Sequence, residues 1–375
     1  MELKEGYKKT EIGIIPKDWE VRTLGEVGEV RMCKRIFNNE TSSNESIPFY
    51  KIGTFGKEAD AYISKEKYKE YRKLYSFPRK GDILISAAGT IGRTIIYNGE
   101  DAYFQDSNIV WIENNFNTVS NEFLYHIYQV ANYNTEGGTI QRLYNSILKA
   151  TKYACPTKNE QTAIANALSD ASALIGDLQK LIAKKSDIKQ GAMQKLLKSN
   201  KGWDVKRLGD VCEIRKGQLI TDSTRVDGNI PVIAGGKTPA YYHNKPNRIG
   251  KTITISGSGA SAGYLSLHDY PIFASDCSTI EENENYSIEF MFYLLQLLQE
   301  KIYKMQTGGA QPHIHPSDLN PILIPVPSKE EQIKIVSIFL DMDEEIKMLE
   351  TKLEKYRRVK LGMMQSLLTG KIRLV

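Results

Sequence analysis

The stretch Glu160-Gln161-Thr162-Ala163-Ile164-Ala165-Asn166-Ala167-Leu168 returns 171 positions later as Glu331-Gln332-Ile333-Lys334-Ile335-Val336-Ser337-Ile338-Phe339. The match runs on without a gap. Asp170 falls on Asp341, Ile175 on Ile346, Leu178 on Leu349, Lys184 on Lys355, Lys189 on Lys360 and Gly191 on Gly362. Met193-Gln194 then falls on Met364-Gln365, and Leu196-Leu197 on Leu367-Leu368. A second match opens each half: Trp19, Val21, Leu24, Gly25, Glu26 and Val27 against Trp203, Val205, Leu208, Gly209, Asp210 and Val211. Between these anchors the halves diverge. Even so, Ile85-Ser86 and Gly89 align with Ile255-Ser256 and Gly259, and Gly137-Gly138 with Gly308-Gly309. Self-similarity at a fixed offset means one structural plan used twice: variable block, helix, variable block, helix.

The helical parts carry the sharper pattern. In the second copy Ile335, Phe339, Met342, Ile346, Leu349, Leu353 and Tyr356 step by four and three, and in the first Ile164, Leu168, Ala171, Ile175, Leu178 and Ile182 do the same. That is the a/d seam of a coiled coil, with Asp343, Glu344, Lys347 and Glu350 expected outside. A helix packed on its own domain gives the same periodicity. Two equivalent copies, each following a globular block, favour the two helices pairing with each other, antiparallel if the blocks sit at opposite ends. Lys185 stands where the second copy has Tyr356, so the seam is weaker there. At about 1.5 Å per residue such a helix is on the order of 60 Å long, against about 34 Å for one turn of DNA.

The blocks are β-rich. Residues 81–86, 93–97 and 108–112, and then 251–255 and 264–267, are short β-branched or aromatic runs bounded by turn residues. Helical stretches follow near Asn121–Val130 and Ile288–Met305. The expected fold is α+β: two β-rich domains in tandem repeat, separated by two long helices forming an antiparallel coiled coil. The expected limits are 1–155 for the first domain with its N-terminal arm, 156–200 for the first helix, 201–326 for the second domain and 327–375 for the second helix.

Composition sets broad limits. The 375 residues hold 41% hydrophobic and 25% charged side chains, with 21 tyrosines, which is the make-up of a folded protein. The net charge of +5 suits a polyanionic partner without demanding one. Cys33, Cys155, Cys212 and Cys277 lie far apart, so they form neither a disulfide framework nor a zinc set and read as buried thiols. The charged N-terminus and the lack of a long apolar run predict a cytoplasmic protein with no membrane partner.

Catalytic motifs are missing. The glycine cluster Gly257, Gly259 and Gly263 follows a strand but leads into another strand, and a phosphate site needs a helix N-terminus. Residues 51–57 and 235–238 lack the P-loop spacing. His313 and His315 have no ligand partner at metal spacing. No two prolines adjoin, which argues against an amino-methyltransferase motif. No catalytic or metal residue is therefore assigned, and a recognition role is expected. An enzyme fragment whose catalytic part lies on another chain is the alternative.

The signal for DNA lies in loops. Lys34-Arg35 follows the first strand, Arg31 and Arg215-Lys216 hold similar places in their blocks, and residues 68–80 interleave Tyr68, Tyr71 and Tyr75 with basic groups. Tyr241 and Lys245 echo that mixture. Basic groups bind phosphate, and Arg, Gln, Asn and Ser in loops read base edges. The candidates are Lys34, Arg35, Lys51, Gly89, Thr90, Arg93, Gln105 and Arg142 in the first block, and Lys216, Lys237, Ser258, Ser261, Tyr264, Gln311 and His313 in the second.

With both anchors in view, the chain resembles the specificity subunits of Type I restriction-modification enzymes. Residues 10–27, with Pro16, Trp19, Leu24 and Gly25, resemble the motif that opens that family's target-recognition domains. Pro156 with Glu160-Gln161 and Ile164, and Pro327 with Glu331-Gln332 and Ile335, resemble the start of its spacer helices. The resemblance implies a non-catalytic subunit whose two target-recognition domains each read half of a split site in double-stranded DNA. It also implies a helical pair that fixes the gap and docks two methyltransferase subunits, together with motor-nuclease subunits in the full enzyme. S-adenosylmethionine is expected in the methyltransferases and no cofactor in this chain. The family often closes pseudo-circularly, and the tail at residues 367–374 stops where the head at residues 5–10 would carry on the repeat.

Overall fold

In the computed structural model the described residues are 5–133, 142–198, 202–221, 223–224 and 226–374. They form two compact units, residues 1–177 with 353–375, and residues 178–352. The Gly137-Gly138 pair of the repeat lies outside the described residues.

In the first unit four strands, β1 (Gly28–Met32), β2 (Ile83–Ser86), β3 (Thr94–Ile96) and β4 (Ile109–Asn114), make an antiparallel sheet in the order β1-β4-β2-β3. The two inner strands are buried on both faces, which is why they read as continuous apolar runs rather than alternating ones. Period-two alternation divides them between two cores. Ile83, Ile85, Val110 and Ile112 pack with Phe123, Leu124 and Ile127 of helix α1 (Asn121–Val130). Leu84, Ile109 and Trp111 join Phe49, Phe55 and Tyr103 on the other face. There a smaller sheet has Ile47–Tyr50 at its centre, antiparallel to Tyr62–Ile63 and parallel to Tyr103–Phe104.

The long helix that follows, α2 (Lys158–Leu196), begins on the repeated Glu-Gln pair, and the structure shows what that pair does. Glu160 accepts a 2.9 Å hydrogen bond from the indole Nε1 of Trp19, the other repeated anchor. Gln161 Oε1 accepts from the backbone N–H of Ser120, the residue whose side chain caps α1 through Phe123 N–H. Its amide donates to the carbonyls of Thr118 and Pro156. The motif thus ties the start of the long helix to the start of α1 and satisfies backbone groups that burial would otherwise strand.

The second unit repeats the plan. Strands β5 (Ile214–Lys216), β6 (Thr252–Ser256), β7 (Leu265–His268) and β8 (Cys277–Glu281) order as β5-β8-β6-β7, and helix α3 (Ile288–Leu297) covers one face. Ser287 caps α3, and Gln332 of helix α4 (Lys329–Leu367) takes the Ser287 N–H at 2.8 Å and donates to Pro327 O at 3.0 Å. Even an ion pair across the sheet edge is duplicated: Arg31 with Glu113 at 3.0 Å on β1 and β4, Arg215 with Glu281 at 3.2 Å on β5 and β8.

Every predicted seam position on the long helices is buried or half-buried. The ends of the seam belong to the domain cores. Ile164 and Leu168 lie in the first core beside Met364 and Leu367 of α4 and Leu368 just after it. Ile335 and Phe339 lie in the second beside Met193 of α2 and Leu197 just after it. The packed-on-its-own-domain reading thus holds at the start of each helix. Burying each of these side chains fully is worth about 1.5–3 kcal/mol. Further along, within the second unit, Ile346 and Leu349 are half-buried, and Lys185 pairs with Glu345 and Lys189 with Asp343 at 2.5 Å. As numbers rise on α2 they fall on α4, so the two helices run antiparallel there.

Asp343 corrects an expectation. It does not stand free on the outside of the seam; it also accepts from Tyr293 Oη at 2.6 Å, tying α4 to α3. Lys34-Arg35 follow the strand Gly28–Met32, which comes after three earlier strands in the chain. The aromatic-basic run at residues 68–80 begins on a helix, Lys65–Leu74, whose Tyr68 is buried in the second core of its domain.

Candidate nucleic-acid interface

Both inner strands β2 and β6 end in a loop that returns to an edge strand, β3 or β7. Each loop turns on a glycine in the left-handed region, Gly89 at φ 64° and Gly259 at φ 77°, where a side chain is disfavoured. A later segment lies against each loop. Leu143 N–H donates to Ala87 O at 2.9 Å and Ile314 N–H to Gly257 O at 3.0 Å, with bridges between Ala88 and Arg142 and between Ser258 and His313. The residue just before β4 or β8 completes the group, as Ala87 N–H donates to Asn108 O and Gly257 N–H to Asp276 O. Arg142 and His313 are therefore equivalent positions, and so are Asn108 and Asp276.

The two clusters share a backbone and differ in chemistry. In the first domain Arg142 Nη2 donates to Asn108 Oδ1 at 3.0 Å. In the second, Ser258 Oγ donates to the carboxylate of Asp276, with Lys216, His313 and His315 lining an open cleft of about 220 Å³ beside it.

The other candidates fall into three groups. Thr90 and Arg93 line a separate cleft of about 220 Å³ in the first domain with Gly89, Ile52 and Lys57, although Arg93 is held by Phe55 O. Lys237 lies over the Tyr264 ring at 5.2 Å in a cleft of about 570 Å³ in the second domain. Several groups are engaged by partners within their own domain: Arg35 with Asp106, Lys51 with Asp60, Gln105 with Ile52 N–H, and Lys34 over the Tyr75 ring. Ser261 is half-buried in a short helical turn, and Gln311 is exposed in the loop before His313. Arg31 and Arg215 are tied up in their duplicated ion pairs. Nothing in the sequence marks Asn108 and Asp276 as a pair. Their loops differ by two residues, which hides the equivalence, whereas Arg142 and His313 stand at the same 171-residue offset as the helices.

No side chain of the cysteines offers a nucleophile. All four are buried and unpaired, and burial pushes the thiols of Cys33, Cys212 and Cys277 up to about 12 and that of Cys155 up as well. Among the described residues no three His, Cys, Asp or Glu side chains come together as a metal site, and no helix is long and apolar enough to cross a membrane.

A duplicated domain with polar loops at one sheet end and a long helix at the other defines a recognition protein. The chain belongs to the family described as Type I restriction modification DNA specificity domain, which it matches twice, over residues 16–189 and 200–356. It is thus a specificity subunit with two target-recognition domains, the non-catalytic part of such a system. A putative type I restriction enzyme specificity subunit of Haemophilus influenzae is 57% identical over 160 residues, 42% of this chain and 42% of that protein. A putative MjaX specificity subunit of Methanocaldococcus jannaschii is 29% identical over 427 residues, spanning 99% of this chain and 97% of that one. Among solved structures, the S subunit of the Mycoplasma genitalium Type I system superposes with a TM-score of 0.63 at 19% identity, covering 98% of both chains. A chain from a structure of type I system assembly and conformational transition gives 0.61 at 18% identity, covering 96% of this chain and 99% of that one.

Proposed function

We propose that each domain reads one half of a bipartite site in double-stranded DNA, and that the two long helices set the unread gap and dock the partner subunits. The duplicated loop cluster carries this reading: one backbone scaffold presents Asn108 and Arg142 in the first domain and Asp276 and His313 in the second, which suits two different half-sites. Docking is supported by apolar side chains exposed on the helices away from the seam, among them Leu174, Leu181 and Ile188 on α2 and Ile338, Leu340 and Met348 on α4. The partners are two methyltransferase subunits, which hold S-adenosylmethionine, and motor-nuclease subunits in the full complex. The protein acts in the cytoplasm, where its DNA is. Footprinting of the assembled methyltransferase complex tests the reading. Two protected base-specific segments flanking bases that tolerate any sequence are expected, and one contiguous segment would refute it.

A further inference from the structure

The shared scaffold allows a comparison that one domain alone would not. Asn108 and Asp276 are anchored by the same backbone hydrogen bond, to Ala87 N–H and Gly257 N–H, at the mouth of the same strand pair. Arg142 and His313 are held beside them by the same bridge to the glycine loop. What differs is the charge presented: a guanidinium on an amide in the first domain, a carboxylate on a hydroxyl in the second.

The second cluster is also shaped around its carboxylate. A Cβ on Gly257 would sit 2.8 Å from Asp276 Oδ1, and one on Gly235 would sit 2.7 Å from Ser258 O, so the acid and its serine occupy space that only glycine leaves. Ser258 engages Oδ2, and a carboxylate keeps further lone pairs on both oxygens for another donor. An acidic group on a surface that meets a polyanion is ordinarily repelled. Here Lys216 lines the same cleft and offsets the charge, with the imidazoles of His313 and His315 beside it.

Base edges in the major groove distinguish these chemistries. An arginine donates to guanine O6 and N7, whereas a carboxylate accepts from the amino group of cytosine. Resting on the DNA-reading role above, we propose that Asp276 is a specificity-determining residue of the second domain that accepts a base amino group, and that Arg142, steadied by Asn108, reads guanine in the first. Each cluster then decides one position of its own half-site.

The test is sequencing of methylated sites in cells carrying the full chain with its methyltransferase subunit. Wild type should require an amino-bearing base, cytosine or adenine, at one position of the second half-site and guanine at one position of the first. D276N should relax or change that one position of the second half-site by about tenfold or more in base preference, the first half-site staying the same. N108D is an independent arm. It places a carboxylate on Arg142 and should abolish the guanine requirement in the first half-site alone. If wild type methylates a split site while neither variant changes base identity at any position, the inference is overturned and the bipartite reading stands. If wild type methylates no split site, the bipartite reading itself fails.

Discussion

The indole Nε1 of Trp19 donates to Glu160 at 2.9 Å, and the same fully buried carboxylate receives Arg373 from the other end of the chain, Nε at 2.5 Å and Nη2 at 2.8 Å. Arg373 also grips Asp18 and lies over the Trp19 ring, while Tyr7 Oη donates to Gly370 O at 2.9 Å. Head and tail of the first unit are thus joined through the repeat's own anchors. In the second copy the matching bond, Trp203 Nε1 to Glu331, is 3.5 Å, and Glu331 is exposed and turns back to cap its helix through Ser328.

Glu160→Ala leaves the buried Trp19 indole N–H without its acceptor and Arg373 with Asp18 alone, so it should destabilise the first unit by about 1–3 kcal/mol. Glu331→Ala should cost about 1 kcal/mol or less. Denaturant unfolding of the two variants, compared with wild type, measures the difference; equal effects would contradict the distinct role of the junction.

Acid should loosen the same junction. The Arg373 guanidinium holds the Asp18 carboxyl below its usual value, so its contribution is present above the ordinary aspartate range and lost as pH falls through the folded value. Limited proteolysis should show the tail released as pH falls, and R373K should release it at a higher pH than wild type, because lysine cannot match the bidentate contact.

His126 of α1 offers a second pH effect. Burial, with Lys360 of α4 next in effect, pushes its imidazole down to about 4, so it is neutral in the folded state at pH 7. A depressed histidine contributes stability above its unfolded value near 6.5, which is lost as pH falls from there towards 4. Thermal unfolding should therefore show roughly 1–3 kcal/mol lost across that window, and His126→Leu should flatten the loss. An unchanged slope would show that other groups dominate.

In the second unit, charge reversal of the Lys189–Asp343 pair should reveal the helix register. K189D alone should cost about 1–2 kcal/mol, since Lys189 is largely buried and the variant leaves Asp343, which also holds Tyr293, facing a like charge. Adding D343K should restore part of it. A double variant no better than the single would argue against the antiparallel contact.

Much of this was readable in the sequence, for identifiable reasons. The long helices and anchors carry their information in local periodicity and in a gap-free repeat, so Ile164 and Phe339 could be placed without coordinates. The roles of Gln161 and Gln332 were hidden, because capping a distant helix through its backbone N–H leaves no spacing to read. Cationic candidates fared unevenly. Sequence cannot tell a free arginine from one facing a carboxylate brought in from a distant segment, and Arg31, Arg35 and Arg215 all face one. Asp276 escaped because acids are not sought on a DNA surface, and its equivalence to Asn108 appears only once the strands are paired.

The modular claim is tested by exchanging residues 21–150 for the block of another specificity subunit and, separately, lengthening one spacer helix by about four residues, roughly one turn or 5–6 Å. Sequencing of the methylated sites made by each hybrid with the methyltransferase is the most direct measurement. The exchange should replace one half-site and keep the other, and the insertion should lengthen the unread gap by about one to two base pairs at 3.4 Å each while both half-sites persist. An exchange that altered both half-sites, or an insertion that altered the bases read and not the gap, would contradict two independent reading domains held apart by a helical spacer.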